Sequence, residues 1–161
     1  VRDCIVGKDT TINASQVNES TIGSHTTVGP FTYVRPNCCI GDHCRVGDFV
    51  EVKNSVIGDG TKISHLTYVG DSDVGRKVNF GCGTVTTNYD GHKKHRCTIG
   101  DDVFLGCNTN LIAPVTVADR AYTAAGSTVT DDVPEGALAI ARQRQTNIRG
   151  WADRLRKTWK K

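Results

Sequence analysis

Aliphatic residues recur every six positions along this chain, most regularly over residues 22–52. The regular members of the series are Ile22, Val28, Val34, Ile40, Val46 and Val52. An α-helix repeats every 3.6 residues and a flat strand every two, so a period of six indicates a coil that returns to the same environment at each step. Small residues such as Ser20, Thr26 and Cys38 stand two positions earlier, where a narrow interior has little room. The pattern predicts an all-β solenoid.

The aliphatic position that recurs every six residues is called the beat. With occasional five-residue steps, the beat continues from Val6 to Val129. About twenty six-residue repeats, at three repeats per turn, predict roughly seven parallel coils. At the spacing of adjacent strands, the solenoid would be about 34 Å long. The usual rule for crossover connections predicts right-handed coils. Pro134 cannot continue a strand ladder, so the solenoid is expected to occupy residues 1–133.

One interruption lies between Phe80 and Ile99, two beats that are nineteen positions apart. About thirteen residues are therefore expected to leave the coil as a loop, at about 86–98. Its Asn-Tyr-Asp-Gly segment (88–91) is typical of turns, and a long loop on a regular scaffold usually serves a function.

Residues 134–161 predict an extended arm and then a short helix from about Asn147. Trp151, Leu155 and Trp159 fall on one face of that helix and need a partner surface. A β-helix also exposes flat faces, so the arm is expected to pack on its own or a neighbouring coil in a closed oligomer.

The net charge of +3 conceals a basic tail on an acidic body. Residues 142–161 carry a net +7 and residues 1–141 a net −4, which favours anionic partners. Basic and aromatic residues do not interleave outside the tail, so nucleic acid is disfavoured. No apolar run approaches a membrane span and no signal segment opens the chain, so a cytoplasmic protein is expected. The sequence contains no Met and is expected to be part of a longer protein.

Seven Cys without a Cys-x-x-Cys pair argue against a zinc site or a disulfide framework. Cys4, Cys38, Cys44 and Cys97 occupy the small-residue position of the repeat. They are expected to be buried, reduced side chains.

His65 is the candidate general base among the five His residues, because it lies two positions after a beat and has Glu51 and Lys53 nearly one coil earlier. The others are expected on the surface: His25 and His43 at variable repeat positions, and His92 and His95 among loop cations, a poor zinc site. No metal is predicted.

Seven segments, in order, resemble the C-terminal domain of the bacterial bifunctional N-acetylglucosamine-1-phosphate uridyltransferase / glucosamine-1-phosphate acetyltransferase family. They are Val-Gly-Pro-Phe-Thr-Tyr-Val-Arg-Pro (28–36), Gly-Asp-Phe-Val-Glu-Val-Lys (47–53), His-Leu-Thr-Tyr-Val-Gly-Asp (65–71), Val-Asn-Phe-Gly-Cys-Gly-Thr (78–84), Asn-Tyr-Asp-Gly (88–91), Ile-Gly-Asp-Asp-Val-Phe-Leu-Gly (99–106) and Leu-Ile-Ala-Pro-Val-Thr-Val (111–117).

The resemblance implies a left-handed parallel β-helix, against the crossover rule, and a homotrimer with active sites between subunits. It implies acetyl transfer from acetyl-CoA to the amine of glucosamine 1-phosphate, a step of UDP-N-acetylglucosamine biosynthesis and so of peptidoglycan supply. The family's uridyltransferase domain, with its magnesium, would precede Val1 and is absent from this chain.

The resemblance also assigns site residues. His65 matches the general base, with Glu51 orienting its ring. Four residues match sugar-phosphate contacts: Arg35, Lys53, Tyr68 and Asn79. Six match acetyl-CoA contacts, with Lys94 as an extra phosphate contact: Cys82, Asn88, Tyr89, Cys107, Ala125 and Arg142.

Cys82 and Cys107 stand where the family has Ala and Ser, so the role of Cys107 is open and an acetylated cysteine becomes a minor alternative. A backbone amide at Cys82 still suits an oxyanion contact. Two other hypotheses remain: an acyltransferase with another amine acceptor, and a catalytically silent trimerisation scaffold.

Overall fold

Residues 1–159, which the computed structural model describes, form twenty short strands and one helix. The strands are β1 (Ile5–Val6), β2 (Thr11–Ile12), β3 (Gln16–Val17), β4 (Thr21–Ile22), β5 (Thr27–Val28), β6 (Tyr33–Val34), β7 (Cys39–Ile40), β8 (Arg45–Lys53), β9 (Val56–Ile57), β10 (Lys62–Gly70), β11 (Ser72–Val74), β12 (Asn79–Phe80), β13 (Val85–Thr87), β14 (Cys97–Ile99), β15 (Phe104–Leu105), β16 (Asn110–Ile112), β17 (Val115–Val117), β18 (Tyr122–Thr123), β19 (Thr128–Val129) and β20 (Leu138–Ala139). The helix is α1 (Trp151–Thr158).

Parallel pairing arranges the strands in three flat faces of a triangular prism. The first face runs β1-β4-β7-β9-β11-β14-β17, the second β2-β5-β8-β10-β12-β15-β18-β20, and the third β3-β6-β8-β10-β13-β16-β19. Strands β8 and β10 are nine residues long and turn the corner from the second face to the third, so they belong to both. The eight strands of the second face make about eight coils rather than the expected seven.

The coil is left-handed, as the resemblance implies, and the crossover rule is wrong for it. That rule arises from twisted strands that feed a helix. Here most strands have two residues and little twist, and corner residues such as His25, His43 and Phe49 adopt a left-handed backbone with φ of 55°. The corners, rather than strand twist, therefore set the direction of winding.

The six-residue beat forms the core. Beat residues from Val17 to Val129 are buried, and those at the open first coil, Val6 and Ile12, are not. Thr86 is fully buried one step after Phe80. The beat therefore continues into β13, and the segment outside the strands is residues 88–96, shorter than expected.

The cysteines at the small-residue position behave as predicted. Cys38, Cys44 and Cys97 are buried, Cys4 is half-buried at the first coil, and all seven thiols are free. Burial raises the pKa of Cys97 to about 11 and also raises the pKa of Cys38. These three side chains therefore serve as unreactive packing groups.

The coil continues past its expected end at residue 133. Strand β20 pairs with β18, in the register Thr123 with Ala139. Pro134 lies in the last coil of the first face. The N–H of the matching residue Ala118 donates to Val133 of the next coil, but within residues 1–159 no coil of this face follows Pro134, so its missing N–H interrupts no bond. The arm therefore begins after Ala141, the last residue with a backbone bond to the coil.

Helix α1 begins four residues later than expected, after Gly150 with φ of 71°. Trp151 and Trp159 are more than half exposed, so within one chain the apolar face of α1 has no cover. Packing of the arm on a neighbour stays a prediction, and Lys160 and Lys161 lie outside the described residues. In the described part of the chain, no helix is both long and apolar enough to cross a bilayer.

Candidate active site

The third face has two edges, and the predicted site residues are divided between them. The edge it shares with the second face is called the His65 corner and is formed by matched positions of successive coils. The edge it shares with the first face is called the Lys53 corner; it carries Arg35, Lys53, Asp71 and Asn88.

The His65 corner is a straight column of side chains. Ile63 pairs with Phe80, Phe80 with Leu105 and Leu105 with Thr123. The residues two positions after each of these therefore stack one coil apart, at about 4.8 Å per coil. They are His65, Cys82, Cys107 and Ala125.

His65 is half exposed at this corner. Its Nδ1 lies 3.7 Å from Oδ1 of Asp48, which is its partner in the neighbouring coil. Glu51, expected to orient the ring, is instead paired with Tyr68 in register and accepts a 3.0 Å hydrogen bond from Arg35. Within one chain the carboxylate beside the imidazole is therefore that of Asp48, and Glu51 serves the guanidinium.

The column offers groups that can hold an extended ligand. Within residues 1–159, the amide N–H of Cys82 donates to no protein acceptor, and the thiol of Cys107 is exposed. Arg142 continues the corner beyond Ala125; its Cδ lies 3.9 Å from where a Cβ on Gly126 would be. Asn79 lies on the adjoining second face, three positions before Cys82.

The Lys53 corner is a cluster of cations over a buried carboxylate. Arg35 is 3.0 Å from Glu51, and this hydrogen bond raises the pKa of the guanidinium. Lys53 Nζ lies 3.1 Å from Asp71. The corner is also crowded, because a Cβ on Gly70 would lie 2.7 Å from Nδ2 of Asn88. A larger residue there would displace the side chains of Tyr68 and Asn88.

The loop between β13 and β14 folds onto this corner. Asn88 Nδ2 donates to Asp71 and, at 3.3 Å, to the hydroxyl of Tyr68. Asp90 accepts hydrogen bonds from two backbone amides of the loop and is 2.6 Å from Nε2 of His95. These bonds hold the pKa of Asp90 well below its ordinary value, with His95 the largest cause. The loop therefore has internal bonds that fix its shape.

Lys94 is the cation that the loop brings to the corner. The ammonium of Lys53 beside it lowers the pKa of Lys94, and Arg35 acts in the same direction. Among residues 1–159, Lys94 forms no ion pair. Lys94, expected near the acetyl-CoA phosphates, is thus placed with Arg35 and Lys53. Tyr89 is exposed on the same loop and donates to Gly91 O.

The two corners of one chain are separate. Lys53 is in register with Gly70, five residues along β10 from His65, or about 16 Å of strand. Its ammonium is also held by Asp71 on the far side. No hydrogen bond or ion pair of the described residues joins His65 to the cation cluster. One chain therefore provides two half-sites.

Three contributing residues were missed from the sequence. Asp48 and Asp71 lie in the segments 47–53 and 65–71 but were given no role, and neither was Asn54, which donates to Asp71 at 2.6 Å. The spacing carried a signal for one of them, because Asp71 follows Asn54 by seventeen residues, the step that separates the register partners Lys53 and Gly70. In residues 1–159 no three His, Cys, Asp or Glu side chains lie together as metal ligands.

Two protein families match this chain. The family described as "GMPPB C-terminal domain" matches residues 16–103, and "Bacterial transferase hexapeptide (six repeats)" matches residues 96–131. The bifunctional protein GlmU of Clostridium perfringens is 59% identical over 149 residues, covering 92% of this chain and 33% of that protein. GlmU of Clostridium acetobutylicum is 56% identical over 154 residues, covering 96% and 34%. The chain spans about a third of the length of these relatives.

Solved structures share the fold at lower identity. UDP-N-acetylglucosamine acyltransferase from Campylobacter jejuni has a TM-score of 0.56 at 16% identity, covering 98% of this chain and 79% of that one. PerB from Caulobacter crescentus, in complex with CoA and GDP-perosamine, has a TM-score of 0.53 at 24% identity, covering 79% and 55%. The chain therefore belongs to the family described as the GMPPB C-terminal domain, among the hexapeptide-repeat proteins, and corresponds to the C-terminal domain of the bifunctional protein GlmU.

Proposed function

We propose that this chain transfers the acetyl group of acetyl-CoA to the amine of glucosamine 1-phosphate, giving N-acetylglucosamine 1-phosphate for UDP-N-acetylglucosamine synthesis in the cytoplasm. The observation that carries the proposal is the Lys53 corner. Arg35, Lys53 and Lys94 converge there, and within residues 1–159 they contact two carboxylates, Glu51 and Asp71, so the cluster keeps a net positive charge. Such a cluster suits a phosphate ester. The high identity to GlmU supports the same substrate.

His65 is the proposed general base. A sugar ammonium must lose a proton before its nitrogen can attack a thioester, and an exposed imidazole can accept it. The new C–N bond forms as the C–S bond breaks, and the sulfur of CoA leaves as a thiolate that takes the second proton lost by the nitrogen. Asp48 is the carboxylate beside the ring in the same chain, with its Oδ1 3.7 Å from Nδ1 of His65.

The column below His65 is the proposed acetyl-CoA track. Cys82, Cys107 and Ala125 descend from the base at about 4.8 Å per coil, an extended path that suits a pantetheine chain. The amide of Cys82 faces the carbonyl oxygen as negative charge develops on it. Arg142 at the lower end suits the CoA phosphates.

We propose that the complete site forms between subunits of a homotrimer. The His65 corner and the Lys53 corner of one chain are a face apart, so a single amino sugar cannot touch both. A closed ring lets the His65 corner of one chain meet the cation cluster and loop of the next. In this arrangement Asn88 and Tyr89 contact acetyl-CoA that is bound along the neighbouring chain. Glu51 can orient only the His65 ring of a neighbouring chain.

Direct transfer is proposed rather than an acetylated cysteine, because a positioned amine attacks a thioester without an intermediate carrier. Cys82→Ala and Cys107→Ser variants are expected to keep turnover within about tenfold of the wild type, since neither thiol moves a proton in the reaction. Mass spectrometry that finds an acetylated cysteine before the sugar is added would contradict direct transfer.

The test of the base is His65→Gln, which keeps the size of the ring but cannot accept the proton. Turnover is expected to fall by about a hundredfold to ten-thousandfold, the usual contribution of proton transfer. His25→Gln, on an exposed ring that stacks on His43 at another corner, is the matched control and should keep full turnover. A folded His65→Gln variant with near-normal turnover would remove the proposed mechanism.

A further inference from the structure

Asp71 is a buried carboxylate at the Lys53 corner that no part of the proposed mechanism uses. The residue is only 4% exposed and adopts a left-handed backbone with φ of 48°. Its carboxylate accepts hydrogen bonds from three side chains: Lys53 at 3.1 and 3.2 Å, Asn54 at 2.6 Å, and Asn88. Lys53 belongs to the coil and Asn88 to the loop, so one carboxylate joins the two.

We propose that Asp71 is a positioning residue for the phosphate of the acceptor. It fixes the ammonium of Lys53 and, through Asn88, the loop that carries Lys94, so that both cations face one phosphate group. This inference depends on the proposed function for the identity of the phosphate ester, and it concerns binding rather than proton transfer.

The bonds to Asp71 keep it ionised despite its burial. Burial alone would raise the pKa of Asp71, but the hydrogen bonds from Asn54, Lys53 and Asn88 outweigh burial and lower it. The carboxylate is therefore ionised at neutral pH. Lys53 gains from it a fixed direction for an otherwise flexible four-carbon stem, while its own side chain stays 16% exposed and reachable.

A buried anion beside a phosphate site makes two opposite predictions. If Asp71 acts only through its charge, it repels the phosphate, and its neutralisation should tighten binding. If Asp71 positions the cations, neutralisation releases Lys53 and the loop, and the mutual repulsion of Lys53 and Lys94 separates them. Binding then weakens. The sign of the effect distinguishes positioning from charge.

Asp73 provides a matched control on β11, which begins directly after Asp71. It lies two residues later on the outer side, where it holds Arg96 of the loop through contacts of 2.6 and 2.9 Å. Asp73 touches neither Lys53 nor Asn88. Its replacement by Asn therefore makes the same change of charge but leaves intact the bonds of Asp71 to Lys53 and to Asn88.

The experiment compares the wild type, Asp71→Asn and Asp73→Asn in the assembled protein. Asp71→Asn is expected to raise the KM for glucosamine 1-phosphate by about tenfold, the loss of one charge-assisted contact, with the KM for acetyl-CoA nearly unchanged. Inorganic phosphate should compete about tenfold less well against this variant. Asp73→Asn should stay within about twofold. Equal or tighter phosphate binding by Asp71→Asn would overturn the inference.

Two further arms keep the outcome readable. If circular dichroism shows that Asp71→Asn does not fold, Asn88→Ala cuts the link to the loop without a change of charge. It should still weaken inorganic phosphate binding by a few-fold, and unchanged binding would overturn the inference. A wild type that binds phosphate at this corner but acetylates no amino sugar would refute the proposed function alone, because Asp71 is then judged by phosphate binding.

Discussion

The separation of the two corners predicts complementation between inactive chains. The perturbation is a mixture of two single variants, His65→Gln and Lys53→Met, assembled together in equal amounts. Alone, the first is expected to lose a hundredfold or more in turnover. The second loses one charge-assisted contact, about 1.5–3 kcal/mol or about ten- to a hundredfold in kcat/KM. Each variant assembled alone should therefore have a low acetyltransferase activity.

In the mixture, an intact site needs its base from a Lys53→Met chain and its cations from a His65→Gln neighbour. Each condition is met half the time, so about a quarter of the sites in a closed ring are intact. The assay is the release of CoA thiol with glucosamine 1-phosphate as acceptor, and it should recover about a quarter of wild-type turnover.

The control is a chain that carries both His65→Gln and Lys53→Met, mixed with the wild type in equal amounts. Sites between subunits again leave about a quarter of sites intact, whereas sites within one chain leave about half. Activity of the two single variants that merely equals the average of their separate activities would refute a shared site, and with it the trimeric arrangement.

Three further predictions concern the core, the thiols and acid. Leu105→Ala, at a fully buried beat, should lower the free energy of unfolding by about 2–5 kcal/mol in urea titrations, and a loss below about 1 kcal/mol would deny it a core role. Acetyl-CoA should slow alkylation of the exposed Cys107 but not of Cys39, which lies on the first face. Equal protection of the two thiols would contradict the proposed binding of acetyl-CoA along the His65 corner. The depressed pKa of Asp71 stabilises the fold at pH values above its unfolded pKa of about 3.9, and this is lost as pH falls through the lower folded pKa. The advantage of the wild type over Asp71→Asn in thermal unfolding should therefore shrink below about pH 4, and a constant difference would contradict this pKa.

The winding of the chain could be predicted from the sequence because one environment recurs every six residues. A buried aliphatic residue such as Ile40 or Val46 reports its position by chemistry alone. The handedness could not be derived in this way, since it depends on corner residues with positive φ that have no common side chain. The end at residue 133 was also wrong, because Pro134 lies in the last coil of the first face, where its missing N–H interrupts no hydrogen bond of the described residues.

The sequence offers candidate roles for single residues of the site but not their arrangement. The resemblance assigned a role to each matched position, but it carried no information about distance. Glu51 was expected beside His65 because both lie in neighbouring coils. Register places Asp48 there instead, three residues earlier in the same strand. Lys94 was assigned to acetyl-CoA, and only the folded loop brings it to Lys53. Such contacts depend on how an irregular loop packs, which no period describes.

The central claim is that a cation cluster selects a phosphorylated amino sugar for acetylation. The most direct measurement compares kcat/KM for glucosamine 1-phosphate and for glucosamine, with acetyl-CoA as donor. Two charge-assisted contacts to the phosphate predict a preference of about a hundredfold or more, and a Lys53→Met variant that loses most of it. Equal rates for both acceptors, or no acetylated product from either, would contradict the account.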